Sequence, residues 1–290
     1  MSLGVSMKLL RYGNLGEEKP GLLDDQGQIR DLSLMISDFN PQILGDVDLL
    51  SHLSSLNQDT LPLVKAGTRL GACVGLPGKV ICVGYNSQLH NQQMGICSIK
   101  AGEMLVFLKP NSAICGPFDP ILYTRHTKKL DWEAELGVII GKKGKYISQD
   151  KARDYILGYT CINDLSDRYL QLETSDTQYT KGKGFDNAAP IGPYLVTKDE
   201  VPNASNLQIK LWVNEVLRQD FNTSDYIHND EAVVSYLSQY FTLYPGDIIS
   251  MGSAPGNAKS WGDNMFLKPN DRVVFSIIGL GQQEKIVIIE

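Results

Sequence analysis

The sequence predicts a strand-rich α+β fold. Apolar side chains occupy every second position from Leu130 to Ile140, which is the period of a strand with one buried face. Runs rich in β-branched and aromatic residues, at 155–164, 272–281 and 285–290, are also typical of strands. The best amphipathic helix lies at 230–241, and the other helical segments are short, so strands dominate the prediction.

The first segment predicts a small N-terminal α/β domain, residues 1–75. It starts with short strands joined by an Asp-Gln-Gly turn. Residues 46–56 then show helical spacing of apolar side chains behind Asp46, a residue type that caps helices. Gly- and Pro-rich sequence at 66–79 indicates a boundary with a larger domain, residues 76–290.

The larger domain begins with alternating strands and short helices. Residues 80–83 predict a buried strand, and residues 86–94 predict a helix that carries His90. An apolar strand follows at 104–110. A single histidine on a helix is more often structural or exposed than catalytic, so its position alone does not assign His90 to a site.

The alternating strand carries the first functional signal, because Asp131, Glu133 and Glu135 share its polar face. The backbones of Glu133 and Glu135 would lie about 6–7 Å apart. Carboxylates that close repel each other unless a proton or a cation lies between them. A solvated polar face is the simpler interpretation of an isolated Glu-x-Glu pair. However, the strand at 155–164 ends at Asp164, which can turn toward the pair.

The C-terminal half alternates loops and strands. Residues 178–193 are rich in Gly and Pro, contain Lys183, and predict an irregular loop that approaches a ligand. Residues 206–219 predict a hairpin with its turn near Asn214 and Glu215.

The amino-acid composition limits the classes of binding partner and the cellular compartment that we expect. The 33 acidic and 27 basic side chains give a net charge of −6 without a Lys/Arg-rich block, which argues against nucleic acid and membranes as partners. No apolar run approaches the roughly 20 residues of a membrane span, and no signal peptide is recognised. The cysteines contain no C-x-x-C pair, so we expect small core residues in a reducing compartment, the cytoplasm. They are Cys73, Cys82, Cys97, Cys115 and Cys161.

Seven motifs, in this order, resemble the fumarylacetoacetate hydrolase family: VGYNSQLH, FLKP, DWEAELGVIIG, GYTCINDLSDRYLQ, KGFDNAAPIGP, VNEVLRQ and PGDIISMG. The resemblance spans roughly residues 79–290. It implies a mixed β-roll or β-sandwich catalytic domain, usually in a homodimer, with a variable N-terminal domain. It also implies an enzyme similar to acylpyruvate hydrolases or 2-hydroxyhepta-2,4-diene-1,7-dioate isomerases, with a role in aromatic compound catabolism.

The same resemblance implies that Glu133, Glu135 and Asp164 bind one divalent cation. The chemistry of these residues agrees, because three carboxylates form an all-oxygen site that suits Mg²⁺ or Mn²⁺, with Ca²⁺ as an alternative. Open coordination positions would accept the carboxylate and keto oxygens of a small 2-oxo acid. The ion would then stabilise the negative charge that develops when a C–C bond breaks or a proton leaves the α-carbon.

Other family positions are matched residue by residue. Lys183 matches the lysine of a K-S-F-D motif, here K-G-F-D, and would neutralise substrate charge. Gln171 and Arg168 match the A-R-D-x-Q motif, where Gln171 would bind substrate and Arg168 is a substrate ligand or a structural ion-pair partner. Ser253 lies where the family has T-G-T-P, here M-G-S-A, and its hydroxyl would contact a substrate carboxylate. His90 matches the histidine that activates water.

Two positions depart from the family. Its histidine is paired with a glutamate three residues on, but Gln93 occupies that position here. A neutral amide can orient the imidazole and stabilises the imidazolium much less than a carboxylate does. The loop 253–262 also lacks the T-P pair, which would reshape the substrate end of the site.

Three functions follow from these observations. The first is a divalent-metal-dependent hydrolase that cleaves a C–C bond in acylpyruvate-like or fumarylacetoacetate-like 1,3-diketo acids. The second is a metal-dependent isomerase, tautomerase or decarboxylase of a 2-oxo (di)carboxylic acid, which Gln93 favours. The third is a catalytically silent relative that binds a metabolite or serves as a structural homodimer, and the intact carboxylate trio and Lys183 argue against it.

Overall fold

The computed structural model describes residues 6–95, 102–176, 178–262 and 265–290. The fold is mixed α+β and rich in strands, which confirms the predicted class. The strands are β1 Lys8–Tyr12, β2 Lys19–Leu23, β3 Ile29–Asp31, β4 Val80–Gly84, β5 Leu105–Lys109, β6 Ile114–Cys115, β7 Ile121–Tyr123, β8 Leu130–Asp131, β9 Ala134–Ile140, β10 Ile156–Asn163, β11 Ser166–Asp167, β12 Ala189–Pro190, β13 Leu195–Thr197, β14 Gln208–Val213, β15 Val216–Asn222, β16 Ile248–Ser250, β17 Arg272–Ile277 and β18 Gly281–Ile289.

The helices are short, with one exception. They are α1 Pro41–Leu44, α2 Val47–Ser54, α3 Gln88–Gln93, α4 Arg168–Leu172, α5 Tyr179–Lys183, α6 Asp230–Tyr240 and α7 Ala258–Trp261. Single 3-10 turns or short 3-10 helices occur at Gln58–Thr60, Asn111–Ala113, Gln149–Tyr155 and Thr223–Asp225. Within the described residues, no helix combines the length and apolarity needed to cross a bilayer.

A nine-stranded sheet forms the frame, in the order β3-β2-β1-β13-β10-β9-β16-β4-β5. The inner strand β9 pairs antiparallel with both β10 and β16. Every residue of β9 and β10 is buried. One apolar cluster receives Leu136 and Val138, whereas Ile139 belongs to another. The centre of the sheet is therefore covered on both faces.

This burial corrects the prediction for 130–140. The sequence predicts one half-buried strand, but the chain is divided into β8 and β9, with Trp132 and Glu133 between them. Both faces are buried because apolar side chains pack on each side of the sheet. Asp131 is therefore an interior residue and does not face solvent.

The N-terminal residues extend the same sheet. Strand β1 pairs antiparallel with β13, so β1–β3 lie at one edge of the frame. The Asp46 carboxylate accepts a hydrogen bond from the N–H of Leu49 and caps α2, as the sequence predicts. The division into two domains at residue 75 stays a prediction.

A second sheet has the order β15-β14-β17-β18-β7. The predicted hairpin is formed by β14 and β15, with Asn214 and Glu215 in its turn at positive φ. The predicted amphipathic helix is α6, which buries Val233, Val234 and Leu237. Of the five cysteines, four are buried free thiols, as expected, and Cys97 lies outside the described residues.

The segment 178–193 differs from the predicted irregular loop. Residues 179–183 form α5, and β12 follows. A Cβ at Gly182 would lie 2.6 Å from the backbone nitrogen of Gln171, so only glycine allows α5 to pack this closely on α4. The glycines that obscure the helical pattern thus permit the packing that positions Lys183.

Candidate metal and substrate site

Three buried carboxylates meet at the N-terminal end of β9. One oxygen atom from each of Glu133, Glu135 and Asp164 lies within 4.8 Å of the other two. The β9–β10 register pairs Ala134 with Asn163. Glu133 precedes Ala134 and Asp164 follows Asn163, so this pairing brings the two acidic residues together. The N–H of Asp164 then donates to the carbonyl of Glu133 at 2.9 Å. Strand pairing thus joins residues that are far apart in sequence.

Lys183 and Arg168 bind Glu133 from two sides. Lys183 Nζ lies 2.5 Å from Glu133 Oε2 and 2.6 Å from Asp164 Oδ2. Arg168 Nη2 donates to Glu133 Oε1 at 2.6 Å, and its Nε donates to Asp131 Oδ2 at 2.7 Å. Burial alone would raise the pKa of Glu133, but Arg168 and Lys183 hold it well below its ordinary value. Glu133 is therefore ionised.

Lys109 supports Asp164 from beneath. Its Nζ lies 2.7 Å from Asp164 Oδ1. The ammonium donates to the carbonyls of Leu165, Lys183 and Ala188, which use its three N–H groups. Asp164 Oδ1 is consequently near a positive charge without an aligned hydrogen bond, and this oxygen keeps its capacity to bind a cation.

Glu135 has a different environment. It accepts hydrogen bonds from the Ser250 hydroxyl and from the N–H of Gly252, and it has no ion pair with any described residue. Burial, followed by the charges of Asp164 and Glu133, raises its pKa well above the ordinary value. A buried carboxylate that favours a proton also favours a metal ion in the same place. The donor set therefore fits a hard divalent cation, such as Mg²⁺ or Mn²⁺.

His90 lies on α3 and lines the same cavity. The Ser87 hydroxyl caps α3 by accepting from the N–H of His90 at 3.0 Å. Burial lowers the pKa of His90, although the charge of Glu133 opposes this. Nδ1 of His90 is buried without a hydrogen-bond partner among the described residues. Gln93 is exposed at the end of α3 and makes no side-chain hydrogen bond to His90 within that part of the chain.

Gln171 and Ser253 also reach the cavity, which has a volume of about 70 Å³. Both side chains are buried. Gln171 accepts from Arg168 Nη1 at 2.9 Å, and the Ser253 hydroxyl accepts from Gln219 Nε2 at 3.0 Å. Eight of the nine predicted site residues thus line one cavity, and Gln93 is the exception. These eight are His90, Glu133, Glu135, Asp164, Arg168, Gln171, Lys183 and Ser253.

Several residues in or next to the cavity were not predicted as site residues from the sequence. Asp131 is fully buried and accepts from the N–H of Ala258 at 2.6 Å, which ties Arg168 to the first residue of α7. Tyr85 and Tyr179 line the cavity with hydroxyl oxygens 3.4 Å apart. Asn257 and Lys259 line its other wall. Asp131 could have been identified from its position in the DWE motif. The positions of the other four residues depend on loop conformations that the sequence does not reveal.

Fold and site together define a member of a known family. The model of the fumarylacetoacetate (FAA) hydrolase C-terminal domain matches residues 79–288. The chain belongs to this family. A protein of Burkholderia orbicola (strain MC0-3), provisionally named a hydrolase, is 44% identical over 278 residues, which cover 96% of this chain and 97% of that protein.

Two solved structures show the range of activities among similar folds. A probable 2-hydroxyhepta-2,4-diene-1,7-dioate isomerase from Mycobacterium abscessus is 28% identical, with a TM-score of 0.83 over 98% of this chain and 99% of that one. Maleylpyruvate hydrolase from Sphingobium sp. SYK-6, in complex with manganese(II) and pyruvate, is 26% identical, with a TM-score of 0.82 over 98% and 99% of the two chains. Hydrolases and isomerases are thus both among its structural relatives.

Proposed function

We propose that this protein is a divalent-metal-dependent hydrolase that cleaves a C–C bond in acylpyruvate-like 1,3-diketo acids. The observation that carries the proposal is the convergence of Glu133, Glu135 and Asp164 within 4.8 Å, in a cavity that also contains Lys183 and His90. Family membership and the manganese complex of a related hydrolase support it.

The three carboxylates would hold Mg²⁺ or Mn²⁺. When bound, the ion supplies Lewis-acid stabilisation of negative charge that develops on the substrate oxygens. Lys183 adds a second positive charge at the same place, because its Nζ touches two of the proposed ligands. Gln171, which is held by Arg168, offers an amide group to orient the substrate.

His90 would activate the attacking water. Its lowered pKa keeps the imidazole neutral near pH 7, which is the form that accepts a proton. Because Nδ1 is buried, Nε2 is the nitrogen that can meet a water molecule. Water then adds OH to the acyl carbonyl carbon, and the released carbon of pyruvate receives a proton, so that one carboxylic acid and one pyruvate form.

One observation favours a second function. The imidazole of His90 lacks a carboxylate partner and Gln93 is exposed, so its power as a general base is reduced. Isomerisation, tautomerisation or decarboxylation of a 2-oxo acid requires charge stabilisation without an activated water. These reactions are the alternative. The homodimer and the cytoplasmic location implied by the sequence remain predictions.

The test is turnover by metal-stripped protein before and after addition of Mn²⁺ or Mg²⁺. We expect acetylpyruvate to give equal amounts of acetate and pyruvate only with metal. Oxaloacetate is assayed in parallel for tautomerisation and for release of carbon dioxide. Conversion of oxaloacetate while acetylpyruvate stays intact would replace the hydrolase by the alternative. Metal-independent cleavage would overturn the proposal.

A further inference from the structure

Tyr85 lines the cavity in a backbone conformation that tyrosines rarely adopt. Its φ is +60°, in the left-handed region, where a side chain crowds its own backbone. Asn91 Nδ2 donates to the Tyr85 carbonyl at 2.8 Å. The next residue, Asn86, donates to the carbonyls of Met251 and His228 at 2.9 and 3.0 Å. Backbone strain persists only where surrounding contacts hold it, and it clusters at functional sites, so Tyr85 is a candidate for a role in the site.

A second tyrosine meets Tyr85 at the cavity wall. The hydroxyl oxygens of Tyr85 and Tyr179 lie 3.4 Å apart, although Tyr85 directly follows β4 and Tyr179 begins α5. The ring of Tyr179 packs edge-on against the ring of Phe107, with centroids 5.4 Å apart and planes at 71°. Backbone hydrogen bonds on one side and ring packing on the other therefore bring the two hydroxyl groups together.

The tyrosine pair keeps one O–H group for a ligand. Each phenol has a single proton, and a hydrogen bond between two hydroxyl groups uses only one of the two protons. Burial, followed by the contact with Tyr85, raises the pKa of Tyr179 to about 12, so Tyr179 stays protonated at neutral pH. A hydroxyl group that donates a hydrogen bond holds its proton more tightly, which indicates that Tyr179 donates to Tyr85. The proton of Tyr85 is then left for a ligand in the cavity.

This neutral donor differs from the charged donors of the cavity. Arg168 and Lys183 direct N–H groups at the carboxylate of Glu133, so they neutralise a proposed metal ligand. Tyr85 instead lies in the turn between β4 and α3, and α3 carries His90. The uncharged donor and the proposed general base thus belong to one segment of the chain, whereas the proposed metal ligands belong to others.

Cleavage of a 1,3-diketo acid needs a donor at the acyl carbonyl oxygen. When water adds to the acyl carbon, an electron pair of the C=O bond moves to the oxygen, which becomes negative. The pair returns when the C–C bond breaks, and a tyrosine that donates a hydrogen bond keeps its proton throughout. A fixed donor is most effective where charge develops during the reaction.

We propose that Tyr85 is a catalytic residue that donates a hydrogen bond to the acyl carbonyl oxygen of the substrate, and that Tyr179 is a positioning residue that acts through Tyr85. This inference rests on the proposed function, which places the 2-oxo acid group at the three carboxylates. It adds the group that recognises the second carbonyl of the 1,3-diketo acid.

Removal of single hydroxyl groups tests these roles in turnover. Tyr85→Phe, Tyr179→Phe and the double variant are assayed as Mn²⁺-loaded protein with acetylpyruvate. Tyr146→Phe is the matched control, because Tyr146 also has a positive φ, 54°, but is exposed and does not line the cavity.

We expect kcat to fall about 100- to 1,000-fold in Tyr85→Phe, the effect of losing one such donor, and to fall less in Tyr179→Phe. KM should change little, because the hydrogen bond strengthens in the transition state. The double variant should be no slower than Tyr85→Phe, since Tyr179 acts through Tyr85. Equal kcat in Tyr85→Phe and Tyr146→Phe would overturn the inference, and multiplied losses in the double variant would overturn the role of Tyr179.

Equilibrium binding tests the inference without turnover. The ligands are 4-hydroxy-2-oxopentanoate and 2-oxopentanoate, which differ only in the oxygen at C4 and lack the second carbonyl that hydrolysis attacks. Both are titrated calorimetrically into Mn²⁺-loaded protein. Wild type should prefer the hydroxy acid by roughly 2- to 10-fold, the range for one hydrogen bond, and Tyr146→Phe should keep this preference. No preference in wild type, or an unchanged preference in Tyr85→Phe, would overturn the inference.

The two experiments together separate this inference from the proposed function. If wild type does not cleave acetylpyruvate but its binding preference depends on Tyr85, the hydrolase proposal fails and recognition of the C4 oxygen by Tyr85 stands. If wild type and Tyr85→Phe cleave acetylpyruvate equally, the hydrolase stands and the role of Tyr85 is refuted.

Discussion

The two sides of the cavity differ in how completely their polar groups are bonded. On one side, Glu133 contacts both Arg168 and Lys183, and Lys183 also contacts Asp164. On the other side, His90 has a buried Nδ1 without a partner among the described residues. Ion pairs and hydrogen bonds therefore fix the side chains that are proposed to bind metal. The imidazole that is proposed to activate water has no such partner at Nδ1 among the described residues.

This difference indicates that the site supports metal binding better than it supports activation of water. Buried ion pairs persist only when the geometry compensates the loss of hydration, so the network around the carboxylates fixes the positions of the proposed ligands. An imidazole without a carboxylate partner is a weaker base. We therefore expect metal binding to be robust and hydrolysis to be slow. Four predictions test this contrast.

The largest effect is expected from Glu135→Gln. Removal of a proposed metal ligand should lower metal-dependent activity at least about 100-fold, since even residues that only support ligands change metal affinity or activity about 10–100-fold. The raised pKa of Glu135 means that the metal-free protein resembles the amide variant, so its thermal stability without metal should not fall. Activity assays and thermal unfolding without metal measure both effects. Glu173→Gln, outside the cavity, is the control, and equal losses in both variants would contradict the account.

Lys183→Met should destabilise the metal-free protein. Loss of the cation leaves Glu133 and Asp164 as neighbouring buried charges, which should lower the free energy of unfolding by about 3–5 kcal/mol. Mn²⁺ should restore part of the lost free energy of unfolding. Urea unfolding with and without Mn²⁺ checks this, with Lys181→Met as a control in the same helix, because its exposed pair with Asp176 is worth at most about 1 kcal/mol. A Lys183→Met protein as stable as the control would refute the role of the buried cation.

Gln93→Glu should give His90 the carboxylate partner that it lacks among the described residues. Residue 93 lies three positions after His90 and thus shares its helix face, whereas residue 92 does not. A carboxylate that reaches Nδ1 should raise kcat for acetylpyruvate by about 10-fold, a fraction of what general base catalysis contributes. Gln92→Glu adds the same charge on another face and should have little effect. No gain in Gln93→Glu would show that a missing carboxylate does not limit the rate.

The smallest effect is a shift in pH dependence. His90 must be neutral to accept a proton, and burial holds its pKa below the ordinary value of 6.5. The rate should therefore fall as the pH drops below about 6.5 and should not change through neutral pH. In Gln93→Glu, the added carboxylate should move this fall to higher pH. Profiles of kcat/KM would show it, and a wild-type midpoint above pH 7 would contradict the prediction.

Residue type and spacing predicted the strands because β9 and β10 are rich in apolar and β-branched residues. Along the chain, the motifs singled out the three carboxylates and Lys183. However, periodicity could not show that Asp131 is buried, since that follows from packing on both faces of the sheet. It also could not place Lys259 or Tyr179, whose positions depend on long-range contacts of α7 and α5. The helix of α5 was missed because Gly182 weakens a helical pattern.

Glu133, Glu135 and Asp164 are proposed to hold one divalent ion. The most direct measurement is a titration of metal-stripped protein with Mn²⁺, in which free Mn²⁺ is followed by electron paramagnetic resonance. We predict one ion bound per wild-type chain, competition by Mg²⁺, and loss of this binding in Glu135→Gln. Absence of binding by wild type, or equal binding by wild type and Glu135→Gln, would contradict the assignment.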